Sequence, residues 1–173
     1  TAIGAGAMFV LYTYIAPILQ HITHASPLVI TIALMLTGVG FSIGNAIGGR
    51  SADRSLDGSL LMFFPILGAV MLLFPWAAQT VPGALIVTRV WGAATFALMP
   101  ALQMRVMQAA HDAPALASSV NIGAFNLGNA IGAAFGGIAL SMGLGYAGVS
   151  VIGTALALVG VGLVLFSRKV APP

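Results

Sequence analysis

The side chains able to do chemistry are few, and their spacing limits what they could do. Arg50, Asp53 and Arg54 crowd one loop, Gly48-Gly-Arg-Ser-Ala-Asp-Arg54, together with Gly49. A carboxylate there can accept from unpaired helix-end N–H groups and sits well at the positive end of a helix dipole, and two guanidiniums can pair with it. Such a set can serve as a charged latch, made in one conformation and broken in another. It can equally be a solvated loop. Arg89 stands alone in an apolar stretch. It can snorkel to a headgroup layer, or pair with a carboxylate or an anionic substrate. Asn121 and Asn126 lie in a second apolar stretch, where an amide needs a partner or a wet cavity. Tyr12 and Tyr14 each offer an apolar ring and one hydroxyl, suited to sugars, to amphiphilic drugs, or to plain packing. On a helix they point about 200° apart, so at most one faces a given cavity. His21 and His24 are read as a polar turn, since two His alone rarely hold a metal. No metal or cofactor is expected. No Ser has an adjacent general base, so no catalytic residue is assigned.

The elements that must carry these residues are membrane helices. Hydrophobic residues make up 60% of the 173-residue chain and charged residues 5%. A soluble domain carries roughly a quarter charged residues, so this chain cannot clothe a water-facing surface. Six scattered cations against three acids are too few for a nucleic-acid interface. Cysteine is absent, which removes disulfides and thiolate sites. Residues 1–49 and 113–167 hold no Asp, Glu, Lys or Arg, and residues 58–104 hold only Arg89. A spanning helix needs about 20 apolar residues, so each gap reads as two spans joined by a hairpin. The expected spans are roughly 2–20, 28–49, 58–78, 83–104, 115–141 and 146–167, with turns at His21–Pro27, Gln79–Gly83 and Met142–Gly145. Continuous apolar runs without alternation exclude a β-barrel.

Arg50, Arg54, Arg105, Arg168 and Lys169 all fall on one face of this arrangement. The positive-inside rule makes that face cytoplasmic, with both termini inside. The chain begins at Thr1 and not at Met, which suggests a piece of a longer protein.

Two motifs recur. Pro17-Ile-Leu-Gln20 matches Pro100-Ala-Leu-Gln103, and Gly44-Asn-Ala-Ile-Gly48 matches Gly128-Asn-Ala-Ile-Gly132, at offsets of 83 and 84 residues. That offset is three spans, and an odd number of spans reverses direction. The all-α bundle is therefore read as two inverted three-helix repeats, about 1–82 and 83–167, an arrangement found within each half of major facilitator transporters. Gly40, Gly44 and Gly48 share one helix face, as do Gly128, Gly132 and Gly136. Small faces bring helices close in lipid, either as static packing or as a deformable rocking interface. Asn45 and Asn129 repeat at the same offset, which favours a structural interhelical hydrogen bond. Gln20 and Gln103 are read as interface markers.

The Gly49…Asp53-Arg54 pattern resembles the signature loop of the major facilitator superfamily. Tyr12-Thr-Tyr-Ile-Ala-Pro17, Leu102-Gln103 and the Asn-rich stretch Ala117–Asn129 resemble helices seven, ten and eleven of bacterial arabinose, sugar and drug efflux permeases. The loop continues Ser55-Leu56-Asp57-Gly58, without the family's usual basic cluster. The resemblance implies the C-terminal six helices of a twelve-helix exporter in the bacterial inner membrane, with the N-terminal half missing. It implies alternating access, a small-molecule substrate, spans one and four lining the cavity, and proton-coupled antiport. No Asp or Glu lies inside a span, so a coupling acid would belong to the missing half. The alternative is a non-transporting receptor or scaffold built on the same bundle. The partners expected are the bilayer, the missing half, the substrate and protons, with no nucleic acid.

Overall fold

A computed structural model describes residues 1–110 and 112–170. Eight helices follow in order: α1 Ala2–Tyr12, α2 Ile15–Ile22, α3 Pro27–Arg54, α4 Leu56–Ala77, α5 Val81–Phe96, α6 Met99–Ala109, α7 Pro114–Ser141 and α8 Gly145–Val170. They form six apolar spans, because α1 and α2 together make span one and α5 and α6 make span four. Span two is α3, span three α4, span five α7 and span six α8. The chain is an integral membrane helix bundle, and the span limits expected from the charge gaps hold to within a few residues.

Local chemistry explains the ends. Ser26 accepts from the Val29 N–H at 3.4 Å, with Pro27 in the first turn of α3. Thr80 accepts from the Gly83 N–H at 3.2 Å ahead of α5. Both are N-caps that satisfy an orphan donor. The α7–α8 turn uses Gly143 at φ 75° and Gly145 at φ 62°, a backbone region that costs glycine nothing.

Two features depart from the expectation. First, Gly49, Arg50, Asp53 and Arg54 do not form a loop. They are the last turns of α3, and Ser55 alone links α3 to α4. Ser55 is extended (φ −164°, ψ 116°), and its hydroxyl accepts from the Gly58 N–H at 3.0 Å, capping α4. With a cap of that quality one residue suffices, so the helix runs to Arg54. Second, spans one and four are not continuous helices. They break just before Pro17 and Pro100, at Thr13–Tyr14 and at Ala97–Leu98, and then continue. A proline ring clashes with the carbonyl four residues back and supplies no N–H. It is tolerated in the first turn of a new helix, where both prolines now lie. The breaks are 84 residues apart.

The most extensive contacts are α3 on α5 and α1 on α7, followed by α4 on α8 and α1 on α8. Exchanging the two three-span units turns the first pair into the second, as an inverted repeat requires. Lipid supplies no hydrophobic drive between helices, so close packing of small residues must hold them. The glycines do this. A Cβ at Gly40, Gly44 or Gly48 would strike the backbone carbonyl of Arg89, Ala93 or Ala97 respectively. A Cβ at Gly128 or Gly132 would strike that of Ala2 or Gly6, and at Gly136 the ring of Tyr14. The core below is apolar, with Trp91, Phe74, Leu11, Ile18, Leu19, Leu60, Leu67 and Met71 fully buried.

The two units are not packed alike. Gly44 rests on Ala93, whose counterpart 84 residues earlier is Phe9, yet the counterpart of Gly44, Gly128, rests on Ala2. The span five–span one contact is displaced by seven residues, about 10 Å along the helices at 1.5 Å per residue.

Candidate substrate cavity

One copy of each repeat motif, Gly44–Gly48 and Pro100–Gln103, borders a cavity of about 530 Å³. It lies between the late part of α3, the start of α6, the early part of α7 and the start of α1, toward the face that carries Arg50, Arg105 and Arg168. Asn45, Gly49, Met99, Pro100, Leu102, Gln103, Asn121, Ile122, Phe125 and Thr1 line it. The polar walls are neutral. Asn121 is buried, donates from Nδ2 to Gln103 Oε1 at 2.6 Å, and accepts from the Thr1 hydroxyl. An amide pair anchored to each other presents a fixed set of remaining donors and acceptors, which suits hydroxyl groups better than an ion.

From Phe125 an aromatic ladder runs into the bundle. Phe125 meets Phe9 edge-on at 5.5 Å, and Phe9 meets Tyr12 edge-on at 5.8 Å. Tyr12 stacks on Trp91 at 6.1 Å and touches Phe41, which stacks on Phe96 at 4.0 Å. Tyr12 is 39% exposed, while Trp91 beneath it is fully buried. The ring of Tyr12 is therefore held from behind, and its outer face is open.

Among the sequence-predicted residues, Asn121 lines the cavity and Tyr12 lies on the ladder that leads to it. Tyr14 does not join them. Its hydroxyl donates to the Ala133 carbonyl at 2.8 Å, and its ring packs on Gly136, so it pins span one to span five. Asn126 is exposed and makes no hydrogen bond among the described residues. Arg89 is exposed without an ion pair among them. Asn45 and Asn129 make no hydrogen bond to each other, and Asn45 opens into the cavity. Gln103, read as an interface marker, is a cavity wall. Phe41, Phe96, Phe125 and Trp91 were not singled out. The repeat carried a signal for three of them: Tyr12 and Phe96, like Phe41 and Phe125, stand 84 apart.

The charged contacts differ from the expected set as well. Gly49, Arg50, Asp53 and Arg54 sit at the end of α3, and Asp53 and Arg54 are exposed with no ion pair among the described residues. Asp57, instead, is paired twice. Arg105 Nη1 lies 2.8 Å from its Oδ1, and Arg168 Nε lies 3.0 Å from its Oδ2. Arg105 Nη2 also donates to Ser167 Oγ at 2.7 Å. Asp57 stands in the first turn of α4, where the helix dipole favours an acid.

Fold and cavity together define a polytopic membrane bundle of two inverted three-span units around a neutral amide-and-aromatic site. No protein-family model matches the chain. It is 57% identical over 172 residues to the inner membrane transport protein YdhP of Escherichia coli K12, which accounts for 99% of this chain and 44% of that protein. It is 33% identical over 142 residues to the uncharacterized MFS-type transporter YtbD of Bacillus subtilis, 80% of this chain and 36% of that one. It is 29% identical over 160 residues to a probable sugar efflux transporter of Haemophilus influenzae Rd, 92% of this chain and 40% of that one. The chain belongs to the major facilitator superfamily. It spans less than half the length of the curated relatives it matches.

Proposed function

We propose that this segment is the C-terminal half of an exporter of small neutral molecules, sugars or amphiphilic drugs, working by alternating access in a bacterial inner membrane. The observation that carries the reading is the cavity between repeat-related spans, walled by Asn45, Gln103, Asn121 and Phe125, with no charged side chain among the described residues that line it. Amides pair with hydroxyls, and aromatic rings stack on the apolar faces of sugars or drugs. The seven-residue displacement between the two units supports the mechanism. If inverted units hold two different packings, exchanging those packings closes the cavity on one face and opens it on the other. The names of the relatives support export and transport, since one is described as a probable sugar efflux transporter and another as an inner membrane transport protein.

In this reading the face bearing Arg50, Arg54, Arg105, Arg168 and Lys169 is cytoplasmic, with both ends of the segment inside. Asp53 and Arg54, without an ion pair among the described residues, latch against the other half when the cavity is closed on that face. The breaks in spans one and four let each half-helix tilt on its own. Coupling to protons uses an acid of the other half, because this one has no carboxylate inside a span.

The test is counterflow by the full-length protein in proteoliposomes across candidate sugars and lipophilic drugs. Asn121→Leu should lower flux about 5- to 150-fold, mainly through KM, for a substrate that hydrogen-bonds the amide, on the scale of about 1–3 kcal/mol for an unmade bond. Full flux for every substrate in Asn121→Leu and in Gln103→Leu would remove the cavity from the transport path. Binding without any counterflow would instead mark a receptor.

A further inference from the structure

A second polar pocket, of about 550 Å³, lies where spans three, four and six end on the basic face. Its walls are Ser55, Leu56, Asp57, Arg105, Gln108 and Arg168, and it shares no residue with the central cavity. We infer that this pocket binds the phosphate headgroup of an anionic phospholipid from the leaflet on that face.

The charge balance comes first. Two guanidiniums converge on the single carboxylate of Asp57, at 2.8 and 3.0 Å. The cluster keeps one positive charge, to which the N-terminal end of α4 adds a partial one. A phosphodiester monoanion matches that surplus. Free donors come next. Both oxygens of Asp57 are occupied, and Arg105 is held further by Ser167. Arg168 binds Asp57 through Nε, and its terminal nitrogens have no protein partner among the described residues. The exposed Gln108 amide likewise has none. The Ser55 oxygen accepts from Gly58, which leaves its hydroxyl hydrogen to donate. Asp57 thus acts as the counter-charge that orders two guanidiniums, and the residues that carry the remaining donors line the pocket. Arginine forks of this kind suit phosphate oxygens.

The apolar surroundings indicate a lipid and not a free ion. On the same helix faces as the pocket residues, α8 exposes Leu165, three residues before Arg168, and α4 carries the partly exposed Leu61, four residues beyond Asp57. A headgroup in the pocket would lay its acyl chains against these side chains. A soluble phosphate would gain nothing from them.

The test compares spin-labelled phosphatidylglycerol with spin-labelled phosphatidylcholine around the full-length protein in bilayers, reading the motionally restricted fraction by electron paramagnetic resonance. The expected result is a preference for phosphatidylglycerol that falls about fivefold in Arg168→Gln, the effect of one basic contact at a membrane surface. Gln108→Leu, which disturbs no protein contact, should also lower it. Arg50→Gln removes a cation from the same face outside the pocket and should leave the preference unchanged. Absence of a preference, or an equal loss in Arg50→Gln, would overturn the site. Loss of the preference on adding inorganic phosphate at cellular concentration would assign the pocket to a soluble anion and overturn the lipid.

Discussion

Replacing Gly44 with Ala adds one methyl group and should destabilise the bundle, whereas the same change at Gly38 should not. The Gly44 Cβ would run into the carbonyl oxygen, carbonyl carbon and Cα of Ala93. These are backbone atoms of a packed helix, so no side-chain rotation relieves the clash, and α3 must move off α5. Overpacking of this kind costs about 1–3 kcal/mol, and a backbone obstacle belongs at the upper end. Ala regains about 0.8–1 kcal/mol of helix propensity over Gly, which leaves a net loss of about 2 kcal/mol. At Gly38 nothing lies within 4 Å of the added methyl, so only the propensity gain of about 1 kcal/mol applies. The two variants should therefore differ by about 3 kcal/mol. Steric trapping of the full-length protein in bicelles would measure that gap. Equal stability of Gly44→Ala and Gly38→Ala would refute the carbonyl-on-glycine packing of spans two and four.

Five further outcomes are expected. Tyr14→Phe should cost about 1 kcal/mol of stability by deleting the bond to the Ala133 carbonyl. Tyr12→Phe should leave stability alone and change KM only for substrates that use the hydroxyl, so paired unfolding and transport assays separate the two tyrosines. Asp57→Asn should lower stability by about 1 kcal/mol, a discounted figure because the pair residues are 30–42% exposed. Asp53→Asn should leave stability unchanged and slow transport, which compares directly by thermal unfolding and flux. Thiol labelling at Ser55→Cys should occur from the cytoplasm and at Gln79→Cys from outside; reversed labelling would invert the proposed orientation.

Much of the architecture was legible in the chain because lipid imposes a coarse code. Charges are expensive in hydrocarbon, so the gaps between Arg50, Asp57, Arg105, Asp112 and Arg168 mark span pairs directly. Glycines at intervals of four marked close-packing faces on spans two and five, and the backbone carbonyls of spans four and one lie against them. What stayed hidden depends on local competition. The helix through Gly49–Arg54 persists because Ser55 caps the next helix so well, and glycine pairs normally signal a turn. The Pro17 and Pro100 motifs read as the last part of continuous spans, but each proline lies in the first turn of a new half-helix. The cavity was half legible. Asn121 and Tyr12 stood out as polar or amphipathic residues in apolar runs. Gln103 looked peripheral because its span was expected to stop beside it. Trp91 gave no signal, since a buried indole under a tyrosine is indistinguishable in sequence from lipid-facing aromatics. Asp57 looked like a boundary marker, and only the fold brings the ends of spans four and six to it.

The central claim is that the amide-walled cavity is opened in turn to each side of the membrane. The chain has no cysteine, so Asn121→Cys in an otherwise cysteine-free full-length protein gives a clean reporter. Side-specific thiol labelling in oriented membrane vesicles should find this position reactive from the cytoplasmic face at rest, and reactive from the opposite face when the substrate or proton gradient is reversed. Reactivity confined to one face under every gradient would contradict alternating access through this site.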